Sequence, residues 1–243
     1  EFPSLTLHQA GAVSPHQLRD EILQHANIRI EKVKISRLES TDSQVTLWQD
    51  QQIIAITDHA IVCCAKQSAE LIKNYPVLKP IRGQISWVEN SQQPLALDQA
   101  YSYGGYCMQL DTAQLILGAS FYPNRDDAEV LTEDHVHNYE LIHNVFPKYA
   151  QGLPSVDTWQ GRASVRAQSL DYLPLVGKIQ NFGQIYTFAG LGSKGFLFAP
   201  LCSEILAALI LGELCPVPQS LLDKLNPQRF QKKLKAKKPY YSG

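Results

Sequence analysis

Long apolar runs are missing from this 243-residue chain. The longest, Phe196 to Leu211, is interrupted by Ser203 and Glu204 and falls short of the roughly 20 residues a membrane-spanning helix needs, so no membrane role is expected. No secretory signal is visible, and the chain opens on Glu1 rather than methionine, which suggests that sequence precedes it. Paired cysteine motifs are lacking too. Cys63, Cys64, Cys107, Cys202 and Cys215 are odd in number and form no C-x-x-C, so neither a disulfide framework nor a zinc site is suggested, and a reducing, cytoplasmic setting fits. Internal repeats and low-complexity linkers are also absent.

What is present is the composition of a folded globular protein, with 44% hydrophobic and 19% charged residues. The length suffices for one large domain or two small ones. Charge is unevenly spread. Seven of the 22 basic residues fall between Lys224 and Gly243, namely Lys224, Arg229, Lys232, Lys233, Lys235, Lys237 and Lys238, and none of the 23 acidic residues does. An acidic body with a basic end suits a polyanionic partner; the alternative is a solvated tail that aids solubility.

Ser14-Pro15 is a helix start, and Leu18, Ile22 and Leu23 share one face of the segment running to His25. Alternating runs follow at Ile28–Ile30, Val33–Ile35, Val45–Leu47 and Ile53–Ile56, which predict short, half-buried antiparallel strands. "AIVCCA" (60–65) is continuously apolar and predicts a fully buried strand. Between Ile81 and Trp159, "RGQISWV", "YSYGGYCMQL" and "AQLILGASFY" predict an antiparallel sheet. A helix over about 133–145, capped by Thr132, would cover it with Val136, Tyr139, Ile142 and Val145 buried. The chain then returns to a strand, "QIYTFA", and to an apolar helix opened by Pro200. One domain interrupted by a second is the expected organisation.

Three clusters could carry chemistry. Gly190-Leu191-Gly192-Ser193-Lys194-Gly195 is a literal G-x-G-x-x-G between a strand and a helix. A self-contained dinucleotide site is excluded, because the required second parallel strand would fall on "LCPVPQS", where proline removes ladder donors. The loop is then either a turn packing helix against sheet, or a set of backbone N–H groups plus Lys194 offered to part of a cofactor whose phosphates are held elsewhere. His135 and His137 lie about 200° apart on a helix, so they cannot share a metal, and solvated histidines are expected. Arg162 and Arg166 precede the turn-forming "LDYLPLVG". Arginine there suits a two-pronged grip on a carboxylate, with a surface ion pair as the alternative.

The order "AIVCCA", "PIRGQISWV", "GGYCMQL" with "LILGASFY", "SVRAQSLDYLPLVG" and "IYTFAGLGSKGFLFAPLCSEILAALILGE" resembles the D-amino-acid-oxidase and glycine-oxidase superfamily of flavoproteins over nearly the whole chain from about Gly11. "AGLGSKGFLFAPLCSEILAA" followed by "LLDKLNPQRFQKKLKAKK" is similar, more narrowly, to the C-terminal oxidoreductase module of bifunctional enzymes that build 5-methylaminomethyl-2-thiouridine in tRNA. The resemblance implies an α/β (α+β) fold. An incomplete, Rossmann-like FAD-binding domain (1–80 and 161–223) would be interrupted by an antiparallel-sheet substrate domain (81–160), with a basic tail at 224–243.

It implies an activity as well: FAD-dependent removal of the carboxymethyl group from 5-carboxymethylaminomethyl-2-thiouridine at the tRNA wobble position, leaving 5-aminomethyl-2-thiouridine. A methyltransferase module of the same polypeptide would use S-adenosylmethionine on the product. By the same resemblance, Arg166 would bind the substrate carboxylate and Tyr106 would add a hydrogen bond. Gly190, Leu191, Gly192, Ser193, Lys194 and Gly195 would line the flavin, and Ala65, where glycine is usual, would sit beside it. Ile35 would touch the adenine, and Lys232, Lys233, Lys235, Lys237 and Lys238 would contact tRNA phosphates. The family's dinucleotide fingerprint lies upstream of Glu1, so these residues alone are expected to hold FAD poorly. Competing readings are an amine or amino-acid oxidase acting on a free small molecule, and a non-catalytic remnant of the fold.

Overall fold

A computed structural model describes residues 3–89, 97, 99–109 and 114–230. Its first helix is α1 (Pro15–Leu23), started by Ser14, whose hydroxyl accepts from the Gln17 amide. Three strands follow, β1 (Arg37–Ser40), β2 (Val45–Gln49) and β3 (Gln52–Thr57), and then β4 (Ala60–Val62), the short α2 (Ser68–Leu71) and the long β5 (Lys79–Glu89). The middle of the chain holds β6 (Tyr101–Ser102), β7 (Tyr106–Gln109), β8 (Gln114–Gly118), β9 (Tyr122–Pro123), α3 (Thr132–Val145) and α4 (Pro147–Gln151). The last part holds β10 (Gln160–Gln168), β11 (Leu175–Lys178), β12 (Ile185–Ala189), α5 (Gly195–Leu211) and α6 (Gln219–Leu225). Two compact units result, Glu1–Lys32 with Arg82–Val165 and Val33–Ile81 with Arg166–Gly243.

In the first unit the sheet runs β10-β5-β8-β7-β6, with β9 added to β5, and α3 contacts β8. Alternation on β8 sends Leu115 and Leu117 inward to join Val88, Cys107, Ile142 and Trp159 in an apolar core. Beside it lies a buried polar layer. Arg82, Gln84 and Ser86, spaced by two along β5, are fully buried, as are Asp134 and Asn138 of α3, with His135 only 5% exposed. The Arg82 guanidinium donates to Asp134 (2.6 Å), Asp127 (2.8 Å) and the Glu129 carbonyl. Burial alone would ease its proton off, but bonds to the two carboxylates outweigh that and hold the charge.

The buried stripe of α3 therefore differs from the one expected. It is Asp134, His135, Asn138 and Ile142, while Val136 is 38% exposed, because the strand opposite presents polar side chains that must be satisfied. Thr132 is the first residue of the helix rather than its cap, which is Leu131. His135 is not solvated. Asn138 donates to Ser86 Oγ, which also lies 2.8 Å from His135 Nδ1, and burial disfavours the charged imidazole. The expected strands at 28–30 and 33–35 do not form: Ile28 and Ile30 are exposed at 41% and 62%, and Val33 and Ile35 are half-buried in a stretch that joins no sheet.

The second unit contains the antiparallel meander β1-β2-β3 and a sheet ordered β11-β12-β4, in which β12 is antiparallel to β11 and parallel to β4. One core gathers Val45, Ile72, Tyr75 and Leu78 with Leu175 and Ile185, and a second packs Val176 and Tyr186 against Cys202, Ile205 and Leu206 of α5 and Leu225 of α6. "AIVCCA" departs from expectation. Only Ala60–Val62 is strand, Ile61 is 47% exposed, and the chain leaves the sheet at Cys63, because β4 ends the sheet instead of sitting inside it. α5 starts five residues before Pro200, which is accommodated within the helix, while the Ser203 hydroxyl donates to the Ala199 and Pro200 carbonyls.

Arg229 closes the unit. It donates to both Asp171 oxygens (2.7 and 2.9 Å) and to the carbonyls of Leu173, Pro174, Leu225 and Asn226, so the "LNPQR" segment is tied to the "LDYLPLVG" turn. The hydrogen bond from Arg229 is the main cause holding the Asp171 carboxyl below its ordinary range. Arg229 thus serves the interior and is not among the charges of the basic end.

Two stability predictions follow from these polar centres. Burial holds the His135 pKa below its usual 6.5, so the unfolded chain binds the proton more readily; stability is full above about pH 6.5 and falls as pH drops toward the folded value. Urea unfolding of His135→Gln should lose much of that decline relative to the unsubstituted chain. Arg229→Ala should cost about 2 kcal/mol, since it strands a part-buried carboxylate and several carbonyls; a urea midpoint unchanged from the parent would contradict the clamp.

Candidate cofactor and substrate site

Parallel pairing of β12 with β4 (Ile185 with Ala60, Tyr186 with Ile61, Thr187 with Val62) brings the carboxyl ends of the two strands to the same side of the sheet. That is where ligands bind in α/β sheets. From β4 the chain enters a 3₁₀ turn over Ala65–Gln67, and from β12 it enters the Gly190–Gly195 loop and then α5. Two of the expected cofactor segments, Ala65 and the glycine loop, therefore emerge together. Ala65 has φ +51°, a left-handed conformation that glycine adopts freely and alanine at a cost.

The loop is shaped by its glycines. Gly190 is buried at φ +73°, and a Cβ there would press on Leu78 at 3.3 Å. Gly192 has φ +54°, and a Cβ would lie 1.9 Å from Gln168 Oε1. The Gly192 amide donates to the Ala167 carbonyl (3.0 Å), and Gln168 forms an antiparallel bridge with Leu191. The end of β10 is thus bound to the loop, and Arg166, two residues before Gln168, stands on the same strand face. Ser193 and Lys194 are exposed, and Lys194 occupies the cap position of α5 with no side-chain bond to the helix. The first-turn amides of this 17-residue helix face the loop as an anion-favouring terminus.

The remaining expected residues lie apart from this constellation in sequence and sheet. Tyr106 is on β7 of the first unit, opposite Gly118 of β8, where a Cβ would meet the tyrosine ring at 2.7 Å. Ile35 is half-buried in the stretch before β1. Lys232, Lys233, Lys235, Lys237 and Lys238 lie outside the described residues. Among the described residues no three His, Cys, Asp or Glu side chains gather as a metal site, and no helix is long and apolar enough to cross a membrane. A cavity of about 600 Å³ in the second unit is lined by residues such as Lys178, Asn181, Tyr186 and Asp223, none of them in the glycine loop or β10.

Sequence reasoning missed Gln168. It is 6% exposed, and its Nε2 is buried with no partner among the described residues. The available signal was its place two residues beyond Arg166 in a strand. The glycines let the loop pack closely on Leu78 and Gln168, and the buried unused donor and the helix N-terminus beside them suit an electron-rich, multi-acceptor group such as a flavin ring.

Residues 4–209 match the family of FAD dependent oxidoreductases, and the chain belongs to that family. It is 60% identical, over its whole length, to the tRNA 5-methylaminomethyl-2-thiouridine biosynthesis bifunctional protein MnmC of Acinetobacter baylyi, of which it spans 39%. The Psychrobacter cryohalolentis protein of the same name is 31% identical over 93% of the chain, which spans 36% of it. The chain thus covers well under half the length of these relatives. Among solved structures, glycine oxidase from Geobacillus kaustophilus superposes with a TM-score of 0.68 at 18% identity, over 81% of this chain and 52% of that one. Iminodiacetate oxidase from Chelativorans gives 0.62 at 19% identity, over 79% and 52%. At such identities these two show a shared fold.

One substitution probes the packing of the loop. Gly192→Ala combines an unfavourable φ with a collision against the Gln168 amide, and should destabilise the chain by about 2 kcal/mol in urea titration. A parent-like midpoint would mean that the amide moves aside freely.

Proposed function

We propose that this chain is the oxidoreductase part of a bifunctional tRNA-modifying enzyme. It removes the carboxymethyl group of 5-carboxymethylaminomethyl-2-thiouridine at the wobble position, with FAD as cofactor. The observation that carries this reading is the 60% identity over the entire chain to a protein of that named pathway. The partners in this reading are tRNA and a methyltransferase module of the same polypeptide, and the setting is the cytoplasm. The second unit serves as the cofactor part and the first as the substrate part.

In this reading Gly190, Leu191, Gly192, Ser193, Lys194 and Gly195 hold the flavin ring, with Ala65 beside it and Ile35 toward the adenine. When bound, the flavin would take hydride from the methylene between amine and carboxylate, and the imine left on the substrate hydrolyses to the 5-aminomethyl group and glyoxylate. The protein's share is orientation. Arg166, on the strand attached to the glycine loop, grips the carboxylate through two parallel bonds and so limits which carbon meets the ring. Tyr106 adds a hydrogen bond to the substrate. Lys232, Lys233, Lys235, Lys237 and Lys238 attract tRNA phosphates, an attraction that weakens with salt.

The test is direct. Full-length protein should be yellow, and should release glyoxylate from tRNA bearing the carboxymethylaminomethyl group. Arg166→Lys should lower turnover about ten- to a hundred-fold with flavin content unchanged, because lysine cannot reproduce the fork. Full activity in that variant removes Arg166 from the proposed role, and turnover of free glycine with none of tRNA points to a small-molecule oxidase instead.

A further inference from the structure

Gln168 has a feature that packing does not explain. Its side chain is 94% buried, at 6% exposure, yet Nε2 has no hydrogen-bond partner among the described residues. Leaving such a donor unused costs free energy comparable to a lost hydrogen bond, so a buried orphan of this kind marks a position where a ligand atom belongs. The amide is also held in place. Its backbone bridges Leu191, the neighbouring Ala167 carbonyl accepts from Gly192, and the amide lies over the face of Gly192, 3.2 Å from Nε2 to the position of an added Cβ. Glycine at 192 is what leaves room for it. Two residues on, the chain becomes the N-terminus of α5, a 17-residue helix whose first-turn amides favour electron density.

We propose that Gln168 is a cofactor-positioning residue, donating its Nε2 proton to a carbonyl oxygen at the acceptor edge of the isoalloxazine ring, next to the α5 N-terminus. The inference rests on the flavin reading above and deepens it by assigning a residue. Arg166 and Gln168 divide one strand face between them: the guanidinium takes the substrate carboxylate, and the amide takes the ring. Because that edge of the ring gains negative charge on reduction, a donor there binds the reduced form more tightly than the oxidised one, and raises the midpoint potential.

The experiment uses full-length protein with Gln168→Met, which keeps the volume and removes the donor, and Gln168→Glu, which keeps the shape and substitutes an acceptor. Each is checked for parent-like circular dichroism, and then titrated with FAD and reduced stepwise against a reference dye. FAD should bind about ten-fold more weakly to Q168M, the equivalent of one lost hydrogen bond. Its midpoint potential should shift negative, and that of Q168E should shift further, because a carboxylate repels the reduced ring. A purely structural role for Gln168 does not produce that order. If the parent binds FAD and either folded variant matches it in both affinity and potential, Gln168 has no such role while the flavin reading stands. If the parent itself takes up no FAD, the flavin reading fails and this inference fails with it.

Discussion

The seam between β4 and β12 is three residues long, and the geometry of the candidate site depends on it. Thr187, fully buried at its carboxyl end, donates its hydroxyl to the Val62 carbonyl and leaves its oxygen to accept from Tyr75 at 2.6 Å. A side chain thus stitches the two parallel strands together and anchors them to the segment after α2. Parallel pairing aligns the carboxyl ends of both strands, whereas antiparallel pairing with β11 turns the other neighbour away. Everything at the mouth follows from that alignment: the turn at Ala65, the glycine loop and the start of α5 leave from one side. A shift of β4 by one residue would expose Val62, now buried, and invert which side chains meet the core.

Both units solve the problem of a buried arginine in the same way, and the solution affects how charge in the sequence should be read. Arg82 is surrounded by Asp134, Asp127 and a carbonyl, and Arg229 by Asp171 and four carbonyls. Such clusters add little net stability over apolar packing, but they are intolerant of losing one member. What they contribute is uniqueness: each fixes one strand or turn against one helix end. Counted in the sequence, Arg229 is one more positive charge near a lysine-rich end. Folded, it is neutralised by an acid 58 residues earlier, and the positive charge remaining at that end of the sequence is carried by lysines.

Legibility followed the physics of each segment. The hairpin strands of the first unit, β12 and the core-facing side of α5 were readable because local signals and packing agree there, whereas the helix at Pro15 was readable from its capping serine and proline alone, since none of its residues is buried. The stripe of α3 was not, because hydrophobic periodicity cannot anticipate a strand that turns Arg82, Gln84 and Ser86 inward. "AIVCCA" misled for the opposite reason. Its apolarity is that of an edge strand and an exit turn, and nothing in composition separates a sheet's edge from its centre. Of the candidate site, the glycine loop was visible as a motif and Arg166 as an arginine just before a turn. Gln168 was not, since an unused donor exists only once burial and neighbours are known.

Ala65 shows how far a family pattern constrains this chain. The usual glycine there would be explained if a ligand had to pass within a methyl group of the backbone, or if the backbone had to turn left-handed. The observed φ of +51° favours the second explanation. Alanine retains the turn at a cost of about 1 kcal/mol, whereas a steric demand would have excluded it. What this chain keeps at position 65 is therefore a backbone shape at the end of a parallel strand. At Gly192 the requirement is different in kind, since there both the dihedral angle and the packed amide of Gln168 forbid a side chain. Positions 65 and 192 thus carry different information: one records how the chain leaves the sheet, and the other records what the loop must leave room for.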